Sequence, residues 1–139
     1  MTYYQKQVQH LRLQCFPGQT LINRLIKAKQ LIDSHFTEGL KLETMAREAH
    51  MSTFRFIRLF RQCYGRTPHQ YLTTVRIREA RRLLQTGYSM TDACFMLGFS
   101  SVTSFSALFR KHTGQTPSAF QKKAISDKSA SGFMTYLRS

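Results

Sequence analysis

Residues 54–61 read FRFIRLFR, and the three arginines at 55, 58 and 61 are the groups there able to do chemistry. A guanidinium is permanently charged and carries its N–H donors in a planar fork, which suits phosphates and other oxygen acceptors. Phe56, Leu59 and Phe60 make one stripe of a helix. Phe54 and Ile57 fall on the other side, beside the three cations. Large apolar groups held at water among arginines suggest a surface that meets something charged and partly apolar.

Catalytic chemistry is not suggested. The acids are Asp33, Glu38, Glu43, Glu48, Glu79, Asp92 and Asp127, and no two are spaced as an acid/base or metal-binding pair. Phosphate loop, nucleophile elbow and HExxH are all absent. Cys15, Cys63 and Cys94 form no CxxC pair, and His10, His35, His50, His69 and His112 stand far from them. No zinc spacing results, so neither a metal nor a cofactor is expected, and the chain does not read as an enzyme. Cys63 and Cys94 lie on apolar helical stripes and read as buried reduced thiols, which fits a reducing cytoplasm.

The charge balance names the partner class. The 139 residues hold 21 Lys+Arg against 7 Asp+Glu, a formal net charge of +14. Such a field attracts polyanions, nucleic acid first among them. Gly 7, Pro 3 and no Trp is sparse punctuation, favouring an all-α fold. Apolar runs are too short to span a bilayer, and MTYYQKQVQH lacks the apolar run of a signal peptide.

These side chains must be positioned by helices. From Thr20, Leu21, Leu25, Ala28 and Ile32 repeat with helical period; Thr20 or Asn23 could cap the start, and Gly39 ends the segment. Leu42, Met45, Ala46 and Ala49 follow at 0, +3, +4 and +7. Ser52 is an N-cap for the next helix, whose stripe is Phe56, Leu59, Phe60 and Cys63, closed by Gly65. Thr67-Pro68 opens a long helix to about residue 85, with Tyr71, Leu72, Val75, Ala80, Leu83 and Leu84 apolar, ended by Gly87. Then the pattern returns. Met90, Ala93, Cys94 and Leu97 are followed by Gly98, by Ser100 or Ser101 as cap, and by Phe105, Leu108, Phe109 and His112. Gly114 closes that helix, and Thr116-Pro117 opens a last, short one containing Phe120.

FIRLFRQCYGRTP (56–68) aligns with FSALFRKHTGQTP (105–117) at an offset of 49, while Ala46 and Ser52 match Cys94 and Ser100 at 48. Two amphipathic helices could share stripes by chance, but hardly the Gly and the Thr-Pro in register too, so the chain holds a duplication. Each copy is a short helix, a tight turn and a second helix, with a small residue where the two cross. That is a helix-turn-helix unit, whose second helix can enter a major groove.

The strings LETMAREAHMSTFRFIRLFRQCYGRTPHQYL, RIREARRLL and SMTDACFMLGFSSVTSFSALFRKHTGQTPSAFQ resemble the AraC/XylS-type bacterial transcription regulators over about residues 20–123. Two departures are Cys94, where the family usually has Ala, and Ala107, where many members carry a longer polar or basic side chain. The resemblance implies an all-α fold of about seven helices. It divides into an N-terminal arm (1–19), a first helix-turn-helix subdomain (20–66), a linker helix (67–87), a second subdomain (88–123) and a C-terminal tail (124–139). The tail, AISDKSASGFMTYLRS, mixes residues of a flexible end with those of a docked one.

The resemblance also implies a sequence-specific regulator, an activator, acting on double-stranded promoter DNA and RNA polymerase. With 19 residues before the first core helix, the chain resembles the small stand-alone members, which bind as monomers at the bacterial nucleoid. Many other members carry an effector domain ahead of this unit. Carried onto this chain, the family's base-contacting positions fall on Phe54, Ile57 and Arg58. Arg58 then reads guanine, Phe54 and Ile57 pack on thymine methyls and sugars, and Thr53, Arg55 and Arg61 complete the first face. In the second helix the outward residues are Ser101, Val102, Thr103, Ser104, Ser106 and Ala107, all short, with Arg110 and Lys111 as phosphate contacts. Weaker readout is expected there, on an asymmetric site of roughly 20 base pairs whose two major grooves lie about 34 Å apart. Two alternatives stay open: a basic protein that coats nucleic acid without sequence preference, and a helical protein-interaction module.

Overall fold

The computed structural model describes residues 2–5 and 18–138, with side chains up to residue 127. Cys15 and His10, and most of the expected arm, lie outside the described residues. Helix α1 spans Gly18–His35, α2 Leu42–Glu48, α3 Thr53–Tyr64, α4 Pro68–Gln85, α5 Met90–Met96, α6 Val102–Thr113 and α7 Pro117–Arg138. Residues 3–5 add a helical turn, and the described residues contain no strand. They form two units, Met1–Val75 and Arg76–Ser139, and the division falls inside α4.

In the first unit the core follows the expected stripes. Leu21, Leu25, Ala28 and Ile32 of α1 pack with Met45, Ala46 and Ala49, with Phe56, Leu59, Phe60 and Cys63, and with Leu72. Phe60 centres an aromatic cluster, 5.6 Å from the Phe56 ring, 4.6 Å from Tyr64 and 6.0 Å from Tyr71. Tyr71, expected as a plain apolar position, is only half-buried. Its hydroxyl donates to Asp33 of α1, and Lys29 lies 5.3 Å over its ring, so the phenol ties α4 to α1. In the second unit Ala93, Cys94, Leu97, Phe99, Phe105 and Phe109 are buried. Phe120 packs its ring 5.4 Å from Phe109.

Local signals set most helix ends. Ser52 caps α3 by accepting from the Arg55 amide at 3.3 Å, and Gly65 closes it at φ 75°. Thr67 and Gln70 make a reciprocal capping box at the start of α4, Thr67 accepting at 3.2 Å and donating its amide at 3.0 Å. Gly87 leaves α4 with φ 103°.

Four expectations are corrected. Helix α1 begins at Gly18, so Thr20 and Asn23 are interior, and it ends at His35, before Gly39. Ile77, outside the expected stripe of α4, is buried. His112, placed on the apolar stripe of α6, is exposed, and Leu108 is half-buried, because the α6 core narrows to Phe105 and Phe109. The short last helix is instead 22 residues long, running through Arg138. Ser129, Ser131 and Gly132 weaken a helix, but none removes a backbone donor as proline does. Gln121, near the start of α7, donates to the carbonyls of Leu84 at 3.1 Å and Tyr88 at 2.6 Å, supplying partners at the C-terminal end of α4.

The two turns differ by one residue. Helices α2 and α5 are 48 residues apart, α3 and α6 are 49 apart, and the second cap is Ser101, accepting from the Ser104 amide at 3.1 Å. Ser52 therefore corresponds in role to Ser101, not to Ser100, and the second turn is five residues long (97–101) against four (49–52). Both turns use a left-handed residue at the same place: Gly98 at φ 85° and His50 at φ 54°. Histidine carries a steric cost there that glycine avoids. His50→Gly is expected to raise stability by about 0.5–1 kcal/mol, read from the urea midpoint at unchanged slope.

Cys63 and Cys94 are free and buried, as their stripe positions imply. Burial pushes the Cys63 thiol up to about 11. An acid whose folded pKa is raised stabilises below its unfolded pKa, about 9 for this thiol, and loses that contribution as pH climbs through the folded value. The stability advantage of wild type over Cys63→Ala should therefore shrink by on the order of 2 kcal/mol between about pH 8 and pH 11, measured by urea unfolding.

Candidate nucleic-acid interface

Helix α3 sorts its residues by period. Phe56, Leu59, Phe60 and Cys63 are 0–1% exposed, whereas Phe54 is 77% exposed. Arg55, Arg58 and Arg61 are exposed, and Thr53 and Ile57 half-buried. Among the described residues none of the three arginines has an acidic partner within ion-pair distance. Phe54, Ile57, Arg58 and Arg61 line one open hollow, together with Gln62 and Tyr3. Thr53 turns instead toward a second hollow, shared with Glu43, Ala46, Arg47, His50, Met51 and Ser52, and Arg55 lines neither.

The geometry explains why Phe54 stands at water, with Ile57 half-buried beside it. A core position would need the opposite face of α3, which four residues already fill. What remains is a strip of apolar carbon flanked by guanidinium groups, one shape that can touch base edges, thymine methyls and phosphates.

Helix α6 presents a shallower version of the same face. Val102, Thr103, Ser106, Ala107, Arg110 and Lys111 line a hollow with Met90 and Thr116. Ser101 and Ser104 lie outside it; Ser101 is occupied as the cap, and the two hydroxyls bond to each other at 3.0 Å. Beyond Ala107 the reach comes from Arg110 and Lys111, both exposed. The two faces thus differ chemically: large apolar and basic on α3, small and hydroxylated with a basic end on α6.

Reading the sequence missed Gln62, Tyr3, Met90 and Thr116. Gln62 was findable, since it stands four residues after Arg58 and so on the same face. Tyr3, Met90 and Thr116 come from other elements, and no periodicity points to them. Among the described residues no group of three His, Cys, Asp or Glu side chains could hold a metal.

Two helix-turn-helix units whose second helices carry basic faces without acidic partners among the described residues define a DNA-binding class of protein. The helix-turn-helix domain family matches residues 45–123. The chain belongs to the AraC-type helix-turn-helix family of transcription regulators. It is 34% identical over 104 residues to the bifunctional transcriptional activator/DNA repair enzyme AdaA of Bacillus subtilis, covering 74% of this chain and 49% of that protein. It is 35% identical over 86 residues to the probable transcription factor PqrA of Proteus vulgaris, covering 61% of this chain and 70% of PqrA. Against the DNA-binding domain of the global transcriptional factor AdpA in complex with a target DNA, the TM-score is 0.72 at 32% identity, over 76% of this chain and 96% of that one. The chain thus spans about half the length of AdaA and most of PqrA.

Proposed function

We propose that the chain regulates transcription by reading double-stranded promoter DNA, with α3 as the principal reading helix and α6 as the weaker one. The observation that carries this is the exposed strip of α3, where Phe54 is 77% exposed between arginines that lack acidic partners among the described residues. Arg58 reads guanine; Phe54 and Ile57 pack on thymine methyls and sugars; Thr53, Arg55 and Arg61 border them. On α6, Val102, Thr103, Ser106 and Ala107 touch methyls or make single hydrogen bonds, Ser101 and Ser104 lie at the helix start toward the backbone, and Arg110 and Lys111 hold phosphates. Each helix takes its own major groove, one turn of the duplex from the other. The chain acts as a monomer in the cytoplasm, at the nucleoid, as an activator that works through RNA polymerase, and not as an enzyme. Among the described residues no helix is long and apolar enough to cross a membrane.

Selection of bound sites from random duplex DNA tests this. The expected product is an asymmetric site of roughly 20 base pairs, with its strongest preferences in the half read by α3. Recovery of no preferred sequence supports a nucleic-acid coat instead. Absence of DNA binding at moderate salt, with a protein partner retained, supports an interaction module.

A further inference from the structure

We propose that Tyr3 is a further DNA-contacting residue, which widens the first reading face and donates its phenol hydrogen to a backbone phosphate at the rim of the groove that α3 enters. The inference rests on the function proposed above.

The turn that carries Tyr3 is built by its own sequence. In TYYQ the Thr2 hydroxyl accepts from the Gln5 amide at 3.2 Å, and the Gln5 side chain accepts from the Thr2 amide at 3.0 Å. This reciprocal pair is the capping box of a helix start. The Tyr4 ring stacks on Tyr64 at the end of α3, 6.0 Å between centroids and 24° between planes. Tyr3 lies over Gly65, where a built Cβ would come within 3.5 Å of the ring. That is ordinary van der Waals distance, so the ring and the cap are packing neighbours. Gly114, at the matching place in the second unit, would have nothing within 4 Å among the described residues.

Position and exposure decide between contact and cover. Tyr3 joins Phe54, Ile57, Arg58, Arg61 and Gln62 around one hollow. With the turn docked, Phe54 remains 77% exposed and Tyr3 itself 63% exposed, so the turn flanks the reading face without closing it. Beside Arg61 and the C-terminal end of α3, a phenol stands where the groove wall passes, and its hydroxyl can donate to a phosphate oxygen while its ring lies against a sugar.

The test uses the full chain, the selected duplex and a scrambled duplex, with binding followed by fluorescence anisotropy over a salt series. Tyr3→Phe keeps the ring and removes the donor. It is expected to weaken binding about three- to tenfold on both duplexes, without changing the slope of log affinity against log salt, because a neutral phenol displaces no counterion. Arg61→Ala, by contrast, should lower that slope by about 1. Tyr4→Ala, which frees the turn, should reproduce the Tyr3→Phe loss, with circular dichroism showing the helices intact. Wild-type affinity in Tyr3→Phe overturns the inference while leaving the proposed function standing. A gain in affinity overturns it by showing a cover, and a loss confined to the selected duplex overturns the phosphate assignment. A wild-type chain that binds neither duplex overturns the proposed function and this inference together.

Discussion

Arg58→Ala is expected to weaken binding to the selected site by about 1–3 kcal/mol, roughly 5- to 150-fold, while affinity for scrambled DNA at the same salt changes no more than about threefold. The asymmetry follows from the geometry of a guanidinium. Two parallel N–H bonds to guanine O6 and N7 exist for one base at one position, so their loss is felt on the specific site. Attraction between a cation and phosphate is shared by every sequence. Arg58 is exposed, lies in the hollow with Phe54 and Ile57, and has no acidic partner among the described residues. On the proposed reading it would enter the groove without first breaking an ion pair to any described residue. Equal losses on both duplexes would assign Arg58 to the backbone and move base reading elsewhere on α3. Binding titrations on the two duplexes at fixed salt decide between these roles.

The second large effect separates two phenylalanines two residues apart. Phe56 is fully buried, its ring 5.6 Å from that of Phe60. Phe56→Ala removes a large side chain from the first unit's core and leaves a cavity that its neighbours fill only partly. A loss of about 3–5 kcal/mol is expected, a large fraction of a small unit's total stability. Phe54→Ala, at 77% exposure, should change stability by no more than about 0.5 kcal/mol and instead lower affinity for the selected site. Urea unfolding of both variants, paired with binding titrations, checks the pattern. A stability loss in Phe54→Ala as large as that in Phe56→Ala would mean that Phe54 supports the core, not a reading face.

Much of this architecture is legible from single residues. The stripe from Phe56 to Cys63 fills one face of a 3.6-residue period, so it announces both a helix and the side that must be buried. Ser52, Thr67, Gly65 and Gly87 mark ends because capping chemistry is local and acts within a turn of the chain. The repeat at 56–68 and 105–117 made the two helix-turn-helix repeats legible, because a repeated Gly and Thr-Pro place the same breaks twice. Residues whose environment comes from elsewhere were not legible. His112 occupies a stripe position by count, yet no described element buries it. Thr20 has the chemistry of a cap, but the helix had already started.

By itself, the sequence determined the order of the helices, most of their caps, the duplication and the outward face of α3, all properties set within a few residues by backbone hydrogen bonding and the period of apolar side chains; the start of α1 and the length of α7 were not among them. Only the tertiary structure decided that the second turn is closed by Ser101 and not Ser100, that Gln121 supplies donors to the end of α4, and that Tyr3 lies over Gly65 beside Arg58 and Arg61. The physical reason is one of range. A cap or a stripe is satisfied by its own helix, whereas the position of Tyr3 depends on a ring stack between residues sixty apart in the chain, Tyr4 and Tyr64, which no local pattern encodes.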